Sequence, residues 1–213
     1  MQNERIWLAS YPRSGNTLLR TILWHCYGLP SASTYLNDLE RSRAVESTVG
    51  HIEADAEGRV FFPEGSLHLF KTHEPPPDWQ PAIYVVRDGR AACVSLWEFY
   101  RRDGSLEDCI IGKHRFGSWS DHVSAWLPWS RPKTLLLKYE EMTSELPATL
   151  ETLSAFLGRD PIEEAIPDRD EVASIDGNYV RKKSDWRATL TGDALALFDQ
   201  INGEMMVRLG YRG

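Results

Sequence analysis

The chain has 213 residues, 42% hydrophobic and 26% charged, with a formal net charge of −7. That length and balance predict one globular domain spanning residues 1–213 with an ordinary core, and exclude a disordered or polytopic membrane chain. The acidic balance argues against a nucleic-acid or anionic-membrane partner, so any anion site has to be assembled locally from a few basic groups.

No window approaches the roughly 18 uninterrupted apolar residues of a membrane span. The opening "MQNERIWLASYP" lacks a basic region followed by a long apolar run, so a cytoplasmic location is expected. Cys26, Cys93 and Cys109 are odd in number, and the first two fall in apolar helical patterns, which argues against a disulfide framework. Neither C-x-x-C nor H-E-x-x-H spacing occurs, so no metal site is predicted.

In chain order, "IWLAS" (6–10) reads as a buried strand, "YPRSGNT" as a tight turn, and 17–28 as an amphipathic helix. Strand, turn and helix in that order form a seat for a phosphate-like anion. Pro12 fixes one dihedral, Gly15 permits close backbone approach, and the helix starting at Thr17 offers unpaired N–H groups. Arg13, Ser14 and Thr17 add donors. A Walker A lysine is missing, because Gly15 is followed by Asn16 and Thr17. The plainer alternative is an ordinary strand-to-helix turn with a surface arginine. The polar, aperiodic segment 31–66 is expected to be a mobile flap on the acceptor side.

"LHLF" (67–70) predicts a second strand. If it runs extended through 73, Lys71 and His73 share a face, because strand side chains alternate. Pro75, Pro76 and Pro77 place that pair at the strand's end. A histidine beside a fixed cation suits general-base work on a hydroxyl; a hydrogen-bonded structural histidine is the alternative. "AIYVV" (82–86) predicts a third strand that Arg87 closes, with Asp88 as a cap and Ser95 about two turns into a helix over 90–102. Arg87 suits bidentate phosphate binding, or alternatively a salt bridge to Asp88 or a nearby glutamate.

Residues 118–129 read as a helix with Trp119, His122, Val123 and Trp126 in a core-facing stripe. "TLLLK" (134–138) predicts the fourth strand, and 146–157 a helix opened by Pro147 and closed by Gly158. "NYVRKKSDWR" concentrates Arg181, Lys182, Lys183 and Arg187 in an acidic chain, and 191–211 reads as a closing amphipathic helix. Strands alternating with helices predict an α/β fold: a P-loop-like three-layer sandwich with a mostly parallel central sheet flanked by helices. Ligands in such folds gather at the carboxyl ends of the strands.

Together "YPRSGNT", "LFKTHEP", "VVRDGRAACVSL", "LLLKYEEM" and "VRKKSDW", in this order, resemble the sulfotransferases that use 3′-phosphoadenosine 5′-phosphosulfate, particularly their small bacterial members. The resemblance implies that Arg13, Ser14, Gly15, Asn16 and Thr17 bind the 5′-phosphosulfate, and that Arg87 and Ser95 hold the 3′-phosphate. It implies His73 as the base, Lys71 and Arg13 as charge-stabilising catalytic groups, and Tyr139 as an adenine contact. Arg181 and Lys182 would close over the 3′-phosphate. The expected reaction is metal-independent in-line transfer to a hydroxyl or amine of a small-molecule acceptor, leaving 3′-phosphoadenosine 5′-phosphate. Arg13 stands where much of that family has lysine, Leu18 where many members have tryptophan, and "RKKSDW" is shorter than the common "RKGxxGDW". The competing readings are a nucleotide-binding module without catalysis and a P-loop kinase. The acceptor and the oligomeric state are not legible.

Overall fold

The computed structural model describes residues 5–36, 38–100, 104–168, 171 and 185–211. Five parallel strands lie in the order β2-β3-β1-β4-β5. They are β1 (Arg5–Ser10), β2 (Ser31–Ser33), β3 (His68–Thr72), β4 (Ala82–Val86) and β5 (Thr134–Lys138). Around them run α1 (Asn16–Tyr27), α2 (Arg43–Thr48), α3 (Gly89–Phe99), α4 (Leu106–Ile110), α5 (Trp119–Trp126), α6 (Tyr139–Ser144), α7 (Leu146–Leu157), α8 (Trp186–Thr189) and α9 (Gly192–Arg208).

Alternation along the strands sorts the core into two layers. Ile6 and Leu8 of β1 join Leu69, Ile83 and Val85 against Leu19 and Leu23 of α1 and Leu153 of α7. Trp7 and Ala9 face the other way, with Tyr84 and Val86 against Trp119 of α5 and Phe198 of α9. Both faces are therefore apolar, which is why the strands read as continuous hydrophobic runs. A fully buried side chain such as Leu8 contributes about 1.5–3 kcal/mol relative to exposure.

Helix ends follow the local chemistry. Pro147 sits in the first turn of α7, and Gly158 closes it at φ 66°. A capping box between Ser118 and Asp121 opens α5, which stops at Trp126 because Leu127 turns left-handed (φ 43°) ahead of Pro128. The helix expected over 90–102 ends at Phe99. All three cysteines are buried and free.

The first part of segment 31–66 carries regular structure. Residues 31–33 form the edge strand β2, paired parallel with β3. A 3-10 turn at Asp38–Arg41 and α2 follow, and Leu39, Val45 and Val49 bury together as a small satellite core. The apolar residues are too sparse for a periodic signal, yet they suffice because β2 needs only one neighbour. Residues 52–66 contain no helix or strand.

The strand order reverses beside β1: its chain crosses toward β2, while β4 leads on toward β5. The crevice at that switch lies beyond Ser10 and Val86, where Arg13 and Arg87 stand. Lys71, near the end of β3, lies opposite Leu8 of β1.

Candidate active site

The turn after β1 is held by backbone geometry. Arg13 (φ 64°) and Gly15 (φ 106°) both take left-handed conformations, and the Ser14 N–H donates to the Tyr11 carbonyl at 3.2 Å. Helix α1 has no side-chain cap and no acidic residue in its first turn, so its leading N–H groups face the crevice with an uncompensated positive dipole. Thr17 stands half-buried in that turn. The Asn16 Nδ2 donates to the Leu8 carbonyl at 2.9 Å and to Ser10 Oγ at 3.4 Å, tying the loop to β1.

Arg13, Ser95 and Arg87 converge on this turn, with Tyr139 beside them. Arg13 Nε donates to Ser95 Oγ at 3.3 Å, and its guanidinium stacks 4.9 Å from the Phe99 ring. Arg87 Nη1 donates to the Arg13 carbonyl at 3.0 Å, and its guanidinium lies 4.7 Å from the Tyr139 ring centroid. Asp88 is taken instead by Arg90, so the salt-bridge alternative for Arg87 does not apply to that carboxylate. The Tyr139 ring covers Gly15 so closely that a Cβ there would come within 2.5 Å of it. Among the described residues, buried Ser14 Oγ and Arg87 Nε have no hydrogen-bond partner. Leaving such donors unmet costs about 1–3 kcal/mol each, a cost that an acceptor within reach removes. The donor set therefore fits a phosphate-type group. Arg181 and Lys182 lie outside the described residues.

Lys71 and His73 meet around Tyr35. Strand β3 stops at Thr72, one residue short of His73, so alternation alone does not bring the pair together. The Lys71 ammonium sits 4.6 Å from the Tyr35 ring centroid, while the same ring stacks on His73 at 6.0 Å. The Tyr35 hydroxyl accepts from the His73 N–H at 2.9 Å and donates to Glu74. Nδ1 of His73 donates to the Ser10 carbonyl at 2.8 Å, which leaves Nε2 with the lone pair. Burial, and then the Lys71 charge, hold the His73 pKa well below 6.5. The imidazole is therefore neutral at pH 7, and its Nε2 is able to accept a proton.

Four supporting residues were not legible as such. Asp38 bridges Lys71 Nζ and Arg20 Nη1, both at 2.7 Å. Burial raises its pKa, but the two cations outweigh that and hold it down to about 2. Arg20, a charge inside the apolar run "LLRTIL", was the available signal. His122 donates through Nε2 to the His73 carbonyl at 2.9 Å and accepts from the Tyr84 hydroxyl at Nδ1 at 2.8 Å. The core stripe thus carries a polar strut as well. Glu140 accepts from the Asp88 N–H at 3.0 Å and from the Tyr211 hydroxyl at 2.8 Å, bracing the turn that presents Arg87. A cavity of about 610 Å³ lies beside Trp24, Arg43, Glu46 and His51, the last of which meets Arg20.

Residues 3–210 match the sulfotransferase domain family. Human sulfotransferase 2A1 is 29% identical over 75% of this chain, which covers 61% of that relative's length. The chain thus spans about three fifths of the leading curated relative. The crystal structure of mouse sulfotransferase SULT7A1 complexed with PAP superposes with a TM-score of 0.65 at 22% identity, over 97% of this chain and 86% of that one. A retinol dehydratase in complex with androsterone and the inactive cofactor PAP superposes at 0.70 with 17% identity, over 100% and 83%. At those identities the superpositions establish the shared fold. Among the described residues no helix is long and apolar enough to cross a membrane.

Proposed function

This chain belongs to the sulfotransferase domain family, and from that premise we propose that it transfers a sulfuryl group from 3′-phosphoadenosine 5′-phosphosulfate to a hydroxyl of a small-molecule acceptor. The observation that carries the proposal is the convergence of Arg13, Ser95, Arg87 and Tyr139 on the left-handed turn at Gly15, with two buried donors left unmet. Those groups would hold the nucleotide: the turn and Arg13 the 5′ end, Arg87 and Ser95 the 3′-phosphate, and Tyr139 the base. When bound, the donor supplies a sulfuryl group, so that one O–S bond forms at the acceptor oxygen as another breaks at the phosphate.

The protein's own groups then have distinct tasks. Nε2 of His73 takes the acceptor proton, since Nδ1 is committed to the Ser10 carbonyl. Lys71 and Arg13 place fixed positive charge where negative charge gathers, in surroundings dry enough to make it effective. Tyr35, Phe116 and His114 form the aromatic wall around His73, with rings 5.9–6.0 Å apart in sequence from Tyr35 to His73, His73 to Phe116 and Phe116 to His114. Such a wall suits an acceptor with an apolar body, in keeping with the steroid in the retinol dehydratase complex.

The test is a transfer assay with labelled donor across phenols, alcohols, sterols and sugars, run beside thermal stabilisation by 3′-phosphoadenosine 5′-phosphate. Sulfated product from at least one acceptor supports the proposal. Stabilisation without product on any acceptor would mark a nucleotide-binding module.

A further inference from the structure

The carboxylate of Asp38 is shared by two cations of different origin. Oδ1 accepts from Lys71 at the end of β3, and Oδ2 accepts from Arg20 one turn into α1, the helix that starts at the anion-binding turn. Arg20 is itself fixed on both sides, donating through Nε to Ser31 Oγ at 2.8 Å and through Nη2 to His51 Nδ1 at 2.9 Å. The Arg20 and Asp38 side chains are 1% and 8% exposed and that of Lys71 11%, so water cannot substitute for any partner. An ammonium has three N–H donors. Among the described residues one is engaged by Asp38, with the Tyr35 ring on another side, and Tyr35 in turn stacks on His73.

We infer that Asp38 is a positioning residue for Lys71: its carboxylate anchors the ammonium beside His73 and supplies the negative charge that lets the group remain an ammonium in a dry site. This rests on the reading of Lys71 as a participant in sulfuryl transfer. The charged groups around Lys71 act in opposite senses. Burial lowers its pKa, Asp38 raises it, and Arg20 lowers it; His73, buried and neutral, faces it through Tyr35. Removing one partner of such a buried set exposes the remaining charge to its full desolvation cost. Asp38 thus links the loop side of the site, through Arg20, to the acceptor side, through Lys71 and His73.

The experiment labels lysine at Cε with ¹³C and follows Lys71, assigned by its loss in Lys71→Met, through a pH titration. The other lysines, Lys113, Lys133, Lys138, Lys182 and Lys183, serve as internal references. In Asp38→Asn the Lys71 midpoint should fall by at least about one pH unit. In Arg20→Met, where Asp38 keeps only Lys71, it should rise. Loosened packing would move both variants the same way, and that result, or coincident midpoints, overturns the inference. Arg20→Met also keeps the test alive should Asp38→Asn fail to fold. In parallel, Asp38→Asn should lower kcat about 10–100-fold while product-nucleotide affinity stays within about threefold. In the Lys71→Met background it should add nothing further. Equal losses in both backgrounds would show Asp38 acting by another route and overturn the inference. Wild-type turnover by Lys71→Met would instead remove the reading of Lys71, and the titration midpoints would still decide whether Asp38 sets its charge.

Discussion

His73 donates through Nδ1 to the carbonyl oxygen of Ser10 across 2.8 Å, so the last residue of β1 decides which nitrogen of a histidine beyond β3 can accept a proton. The expected consequence is a sharp division between binding and turnover. His73→Ala should leave affinity for the product nucleotide nearly unchanged and lower turnover about 10²–10⁴-fold, the range for a lost general base. The wild-type rate should also hold steady down through pH 6.5 and decline only at more acid pH, because burial and Lys71 keep the imidazole neutral there. A rate that halves near the ordinary histidine pKa, or a His73→Ala enzyme with full turnover, would remove His73 from the proton transfer.

Arg87 makes a prediction about which nucleotide is preferred. Its Nη1 is used on the Arg13 carbonyl beside the anion-binding turn, and its buried Nε is unmet among the described residues. A charge-assisted hydrogen bond contributes about 1.5–3 kcal/mol, or roughly 10–100-fold in affinity. Isothermal titration of wild type and Arg87→Ala should show that loss for 3′-phosphoadenosine 5′-phosphate and almost none for adenosine 5′-phosphate. Equal weakening of both would assign Arg87 to the loop and not to the 3′-phosphate.

Much of this arrangement was legible because local chemistry and tertiary position agree. The runs at 6–10 and 82–86 are buried on both faces and that at 134–138 is half-buried at the sheet edge, and all three read as strands from their apolar runs. Pro147 and Gly158 mark their helix because each fixes a backbone state on its own. Asp38 was not legible, since an acidic residue in a polar segment has no signal until the two cations it meets are folded beside it. His122 failed differently: a helical stripe announces burial, but only the fold supplies Tyr84 and the His73 carbonyl. Asn16, adjacent to Gly15, also ties the turn to β1 through its side-chain amide, a contact that only the folded strand supplies.

Gly15 offers a test of close packing. An alanine there would be strained at φ 106°, and its Cβ would fall 2.5 Å from the Tyr139 ring. Gly15→Ala should therefore push Tyr139 away and weaken product-nucleotide binding by at least about tenfold, with a cost in stability of about 1–3 kcal/mol for the strained backbone. Tyr139→Ala frees the space without relieving the dihedral. The double variant should consequently recover none of the stability that the strain removes. Tight nucleotide binding by Gly15→Ala would show that the turn tolerates the ring's displacement.

The last prediction concerns acid stability and comes from His122, whose two nitrogens are both committed. Nε2 donates to the His73 carbonyl, and Nδ1 accepts from Tyr84, so a second proton has no place without turning the Tyr84 hydroxyl away. Burial accordingly pushes the pKa from 6.5 to about 4, against the opposing hydrogen bond to His73. An unfolded chain takes up that proton near pH 6.5, whereas the folded one does so only near 4. Between those values the unfolded state binds more protons, so the stability that His122 contributes is complete above 6.5 and drains away as pH falls. The shift corresponds to about 3 kcal/mol in full, and His73, His51 and His114, also lowered, slope the same way. Urea unfolding at pH 7.5 and 4.5 should show wild type losing about 2–3 kcal/mol more than His122→Gln, which keeps a donor and an acceptor but cannot titrate. If the two proteins lose equal stability over that interval, His122 is protonated in the folded state as readily as in the unfolded one, and the strut from Tyr84 to the His73 backbone is not what holds the site.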